Sequence, residues 1–106
     1  MKTILITGAT SGIGKSAAEL LAAQGNRIII CGRRKDALLQ LKNELSLITE
    51  IFSLEFDVRN LASVEAAIES LPKEWKEIDV LINNAGVGIT GPLEEIPLTE
   101  IKNNFD

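Results

Sequence analysis

Gly8, Gly12 and Gly14 are spaced four and then two residues apart in the run Thr7-Gly8-Ala9-Thr10-Ser11-Gly12-Ile13-Gly14, which directly follows the apolar stretch Ile4-Leu5-Ile6. That placement suits one kind of chemistry, the holding of a pyrophosphate on free backbone amides. Gly8 lets the chain turn sharply off the end of a strand. Gly12 removes a side chain where backbone must approach a ligand. Gly14 lets the next helix pack close to the strand, so that its unpaired amides and positive dipole end face the anion. Thr10 and Ser11 add hydroxyl donors. A plainer reading is a structural tight turn, but the loop follows a strand and opens a helix inside a βαβ unit, which favours the binding role.

The second chemically informative stretch is Cys31-Gly32-Arg33-Arg34. A dinucleotide site that prefers NAD carries an acid about 20 residues beyond the glycine loop to accept from the ribose 2′-hydroxyl, and an NADP site uses arginine nearby. Gly32 stands where that acid would be, and Arg33 follows. A carboxylate repels a 2′-phosphate, whereas a guanidinium pairs with it through two hydrogen bonds. The expected cofactor is therefore NADP(H). The competing reading makes Arg33 and Arg34 a solvated helix start. A cation is disfavoured at a helix N-terminus, so Arg33 is expected in the loop.

Composition narrows the remaining chemistry. The chain has no histidine, no tyrosine and a single cysteine, Cys31. His/Cys metal sites and Ser-His or Cys-His nucleophiles are excluded by that inventory. Cys31 follows Ile28-Ile29-Ile30 and is expected to be a buried thiol of a reducing compartment. Eleven basic against fifteen acidic residues give a net charge of -4, so no global field recruits nucleic acid or anionic lipid. The first apolar run is too short for a membrane span, and the expected location is cytoplasmic.

The elements that must position these residues alternate along the chain. Strands are expected at Lys2 to Thr7, Arg27 to Cys31, Glu50 to Phe56 and Asp79 to Ile82, each with strand length and strand composition, Ile and Val dominating the first, second and fourth. Helices are expected at Ile13 to Gln24, Lys35 to Leu45 and Leu61 to Leu71. Leu38, Leu41 and Leu45 share one helix face; Leu61, Val64, Ile68 and Leu71 share another, and all are assigned to the core. Gly25 is placed as a left-handed cap, Asn60 as an N-cap, and Pro72 as a stop. Pro92 and Pro97 mark a loop, and a last amphipathic segment runs from about Leu98. The alternation requires parallel strands, right-handed crossovers and helices on both faces. The fold class is α/β, a Rossmann-like doubly wound sheet in the order 3-2-1-4, with its ligand outside the carboxyl ends of strands one and four.

These residues carry a family resemblance. Thr7-Gly8-Ala9-Thr10-Ser11-Gly12-Ile13-Gly14 resembles the TGxxxGIG cofactor loop of the short-chain dehydrogenase/reductase family. Asp57-Val58 resembles its adenine-contacting acidic pair, and Asn83-Asn84-Ala85-Gly86 is similar to its NNAG motif. The resemblance implies that Ser11, Ile13 and Gly14 line the phosphates and that Arg33, with Arg34, selects NADP. It also implies that Asp57 and Val58 flank the adenine, while Asn83, Ala85 and Gly86 hold the central strands and the ribose side of the pocket. From the residues alone, Asp57 suits either acceptance from the adenine amine or helix capping. Asn83 and Asn84 equally suit plain loop capping.

The family's reaction is implied to be reversible hydride transfer between NADPH and a carbonyl or alcohol, with a tyrosine, a lysine four residues on, a serine and a helix asparagine. This chain has no tyrosine, and Asn103 and Asn104 fall too early for the asparagine. The expectation is thus a single partial domain, residues 1–106, which binds the cofactor without the catalytic half. Alternatives are a stand-alone cofactor-sensing module, a non-catalytic scaffold fragment, and an enzyme completed by a second chain. Strand four is also expected to expose an apolar edge that pairs into dimers or aggregates.

Overall fold

The computed structural model describes residues 1–10, 12–57, 60–84 and the backbone of 95–97. Strand β1 spans Thr3–Thr7, helix α1 Gly12–Ala23, β2 Arg27–Gly32, α2 Lys35–Leu45, β3 Ile51–Glu55, α3 Leu61–Glu69, β4 Val80–Asn83 and β5 Glu95–Pro97. The sheet order is β3-β2-β1-β4-β5. The first four strands are parallel in the expected order, and β5 is antiparallel to β4.

Register explains why these strands read as continuous apolar runs. Leu5 pairs with Ile29 on one side and Leu81 on the other, and Ile29 pairs with Phe52. Successive side chains point to opposite faces. One face therefore carries Ile4, Ile6, Ile28, Ile30, Ile51 and Ile82 beneath α1 and α2, which contribute Ala18, Ala22, Leu38, Leu41 and Leu45. The other carries Leu5, Ile29, Cys31, Leu54 and Leu81 against Val64 of α3, Leu71 and Trp75. A strand covered on both faces has no polar side to show. Each fully buried Ile or Leu contributes about 1.5–3 kcal/mol on transfer from water, so the two layers fix which strands are central.

Helix ends follow their capping residues. Gly25 has φ +88° and donates its N–H to the Ala22 carbonyl at 2.9 Å, closing α1 in a conformation that L side chains rarely adopt. Asn60 accepts from the Ser63 N–H at 3.1 Å and caps α3. At the amino end of the sheet, the Asp79 carboxylate accepts from the Thr3 N–H at 2.9 Å, and the Asp79 N–H donates to the Thr3 carbonyl at 2.9 Å. That pair aligns the starts of β1 and β4.

Three expectations are corrected. Leu61, assigned to the core, is 41% exposed. It is the first residue of α3, ahead of the turn in which Val64 meets the sheet. The edge of β4 is not bare either: β5 pairs with it through Val80↔Pro97, Leu81↔Ile96 and Ile82↔Glu95, so strand-edge dimerisation has no free ladder on β4. Pro97, expected in a loop, sits in that outermost strand, where a missing N–H costs least. The segment from Leu98 lies outside the described residues.

Candidate dinucleotide-binding site

The four parallel strands end on one rim, and short-range hydrogen bonds gather those ends. The Ala9 N–H donates to the Cys31 carbonyl at 3.0 Å, tying the glycine loop to the end of β2. The Phe56 N–H donates to the Gly32 carbonyl at 2.9 Å, which brings the residue before Asp57 alongside the same strand end. On the other side, Thr7 Oγ1 donates to Asn83 Oδ1 at 2.9 Å and accepts from the Asn84 N–H at 3.0 Å. Asn84 Nδ2 donates to the Gly8 carbonyl at 3.2 Å. The strand ends thus hold the loop from both flanks.

Within the loop the glycines act as their spacing suggests. Gly8 has φ +62° and Gly12 φ +49°, left-handed conformations favoured by glycine. Nothing lies within 4 Å of where a Cβ on Gly12 would be, so that backbone is open to a ligand. Gly14 is the opposite case: a Cβ there would overlap the Gly8 carbonyl oxygen and stand 2.6 Å from Asn84 Nδ2. The first turn of α1 is seated directly on the loop because position 14 has no side chain. The free amides of that turn and the open backbone at Gly12 form a cradle that fits a pyrophosphate.

Ile13, carried to the phosphates by the resemblance, is 56% exposed at the start of α1, on the open side of the loop. Thr10 is half-buried, and its Oγ1 and Cγ2 lie 3.6 Å from where a Cβ on Gly32 would be. The glycine loop and the end of β2 are therefore direct neighbours. Gly32 has no positive φ, and a Cβ there would make only ordinary contacts. Its lack of a side chain keeps a carboxylate away without being required by the backbone.

Arg33 is exposed in the bend before α2, as the dipole argument requires, and Arg34 is the N-cap of α2 with no side-chain capping bond. Neither arginine forms an ion pair among the described residues. Asp57 is half-buried beyond β3. The N-cap of α3 is Asn60, so Asp57 does not serve as that cap. Ser11, Val58, Ala85 and Gly86 lie outside the described residues.

Sequence reasoning placed Asn84 in the NNAG-like motif with loop capping as the alternative, gave it no role of its own in the pocket, and passed over the Thr7 hydroxyl. Both join β1 to β4 beneath the glycine loop. Thr7 is 1% exposed, and a polar side chain at the buried end of an apolar strand was the available signal. Cys31 is fully buried, and burial pushes its thiol pKa far above the usual range, which fits an inert core residue. Among the described residues no group of His, Cys, Asp or Glu could hold a metal ion, and no helix is long and apolar enough to cross a membrane.

A sequence profile of the family described as short chain dehydrogenase matches residues 2–106. The chain belongs to this family. Among curated short-chain dehydrogenase relatives, it is 46% identical over 86 residues to a probable NADP-dependent dehydrogenase of Dichelobacter nodosus, covering 81% of this chain and 79% of that one. It is 42% identical over 86 residues to the NADP-dependent 3-hydroxy acid dehydrogenase YdfG of Escherichia coli K12, covering 81% of this chain and 34% of that one. Among solved structures it is similar to L-sorbose reductase from Gluconobacter frateurii complexed with NADPH and L-sorbose. That match has a TM-score of 0.75 and 32% identity, and covers 86% of this chain and 35% of the reductase. The chain thus spans about a third of the length of YdfG and of the reductase.

Proposed function

We propose that the chain is the NADP(H)-binding portion of a short-chain dehydrogenase/reductase whose reaction is reversible hydride transfer between NADPH and a carbonyl or alcohol substrate. The observation that carries this reading is the pairing of a Gly14 position closed to any side chain with a Gly32 that lies beside Thr10 and is followed by Arg33, which forms no ion pair among the described residues. When bound, the cofactor supplies the hydride. The chain's own residues bind and orient it. The amides at the start of α1 hold the pyrophosphate, with Gly8, Gly12, Ile13 and Gly14 shaping the approach and Thr10 and Ser11 donating to it. Arg33 pairs with the 2′-phosphate and Arg34 adds positive charge. Asp57 and Val58 flank the adenine, and Asn83, Ala85 and Gly86 line the ribose side.

Proton transfer to a substrate oxygen requires an acid that this chain's tyrosine-free sequence does not offer in the family's form. Cofactor binding without turnover is the expected behaviour of the chain by itself. The named relatives are NADP-dependent, which supports the same cofactor here.

Nicotinamide fluorescence titrations of Arg33→Ala test the reading. Loss of a charge-assisted pair predicts NADPH binding weaker by about ten- to a hundredfold, with NADH binding unchanged. Equal NADPH affinity in the variant and the parent chain contradicts it.

A further inference from the structure

Two polar clasps join β1 to β4, one at each end of an otherwise apolar pair. At the carboxyl end, the Thr7 hydroxyl bonds to Asn83 and Asn84, and Asn84 Nδ2 reaches the Gly8 carbonyl at 3.2 Å. At the amino end one residue closes the pair: Asp79 Oδ2 accepts from the Thr3 N–H at 2.9 Å, and the Asp79 N–H donates to the Thr3 carbonyl at 2.9 Å. The clasps stand about 13 Å apart, four residues at roughly 3.3 Å each. Asp79 therefore lies at the opposite end of the strands from the glycine loop.

Between the clasps, the apolar pattern leaves the register open. Ile4, Ile6, Val80 and Ile82 face one layer, and Leu5 and Leu81 face the other. A slip of one residue turns every side chain to the wrong face, whereas a slip of two keeps each on its own. A two-residue slip moves β4 by about 6.6 Å along β1, which carries Asn84 out of hydrogen-bond reach of the Gly8 carbonyl. The observed register, Ile4↔Val80 through Thr7↔Asn83, is thus selected by the polar groups at its two ends rather than by the residues between them.

We propose that Asp79 is a positioning residue for the dinucleotide site. By holding the start of β4 on Thr3, it sets where Asn84 meets Gly8, and so the shape of the glycine loop at the far end of the strands. This deepens the cofactor reading above and rests on it. The loop holds the pyrophosphate, which NADPH and NADH share. Asp79 therefore changes affinity for both by the same factor and leaves the preference between them, set at Arg33, untouched.

The test is fluorescence titration of the 106-residue chain with NADPH and with NADH, using Asp79→Ala, Asp79→Asn and Val64→Ala, each under conditions where urea unfolding shows the variant to be native. Val64→Ala is the control for stability alone, since it opens the layer beneath α3 and leaves both clasps in place. Apparent affinity scales with the fraction of native chains whose loop is competent to bind. Asp79→Ala is expected to weaken NADPH and NADH alike, by about three- to tenfold. Asp79→Asn keeps an acceptor for the Thr3 N–H and should stay within about twofold of the parent chain, as should Val64→Ala. Asp79→Ser takes the place of Asp79→Ala if that variant does not fold. The proposal is overturned if Asp79→Ala binds both cofactors like the parent, if it weakens NADPH alone, or if Asp79→Asn fails to rescue. Equal weakening by Val64→Ala would overturn it too, because the effect would then follow stability and not the clasp. If the parent chain binds neither cofactor, the cofactor reading itself fails and this inference falls with it.

Discussion

At the scale of single residues, two positions divide the work of the site, one by excluding a side chain and one by withholding a charge. Gly14 is excluded from substitution by backbone: the atom a Cβ would overlap is the Gly8 carbonyl oxygen, and a main-chain oxygen cannot swing aside as a flexible side chain would. Gly14→Ala is therefore expected to cost about 3 kcal/mol or more, read as a lowered urea midpoint. Unchanged stability would mean that the close seat of α1 is not needed. Gly32 is different, since its Cβ position meets Leu38 Cδ2 at 3.5 Å and the Thr10 side chain at 3.6 Å. Gly32→Asp should fold normally and shift preference from NADPH toward NADH, because a carboxylate accepts from a 2′-hydroxyl and repels a 2′-phosphate. Retained NADPH preference would show that this strand end does not face the ribose. The sequence made the glycine roles legible because glycine has few reasons to recur in such a pattern. It did not make Asn84 legible, since asparagine satisfies backbone groups at so many strand ends that its bond to the Gly8 carbonyl has no distinctive local signature.

At the scale of elements, apolar periodicity and caps were enough to place four parallel strands and three helices. Cap chemistry is local, so Asn60 and Gly25 could be assigned from their neighbours alone. Asn60→Ala removes the acceptor for the Ser63 N–H and should destabilise the fold by about 1 kcal/mol, measurable in urea unfolding. A null effect would place the strength of α3 wholly in its packing through Val64. What periodicity could not show was β5, only three residues long and ending in a proline that usually argues against a strand. Its assignment depends on β4 as a partner, which is a tertiary fact. The same holds for Arg27. Its guanidinium carbon lies 4.0 Å from the Trp75 ring centroid, and Trp75 packs against Phe52 at 5.5 Å. Glu50 approaches Arg27 Nε at 3.1 Å, off the N–H direction, as an ion pair rather than a hydrogen bond. Residues so far apart in sequence meet only once the sheet is assembled.

At the scale of the whole molecule, the sheet buries one apolar layer on each face, and the layer beneath α3 must open before Cys31 meets solvent. Cys31 should resist alkylation in the native chain and react fully once unfolded by urea; fast native labelling would contradict a closed second layer. The raised thiol pKa has a defined sign. The unfolded thiol ionises near the usual value of about 8.5 while the folded one stays protonated, so this contribution is intact below that pH and is lost as pH rises toward the native value. The global architecture was the most legible feature of the sequence, because alternation of strand and helix leaves few topologies. The site was legible only where chemistry is local: the glycine loop and Arg33 stood out, whereas the bonds that Thr7 and Asn84 make beneath the loop became visible only once β1 and β4 were side by side. The central claim is that this arrangement holds a 2′-phosphorylated dinucleotide. Calorimetric titration of the parent chain with NADPH, and separately with NADH, tests it most directly. Saturable NADPH binding at least about tenfold tighter than NADH is the predicted result; no heat with either cofactor, or equal affinity for both, would contradict it.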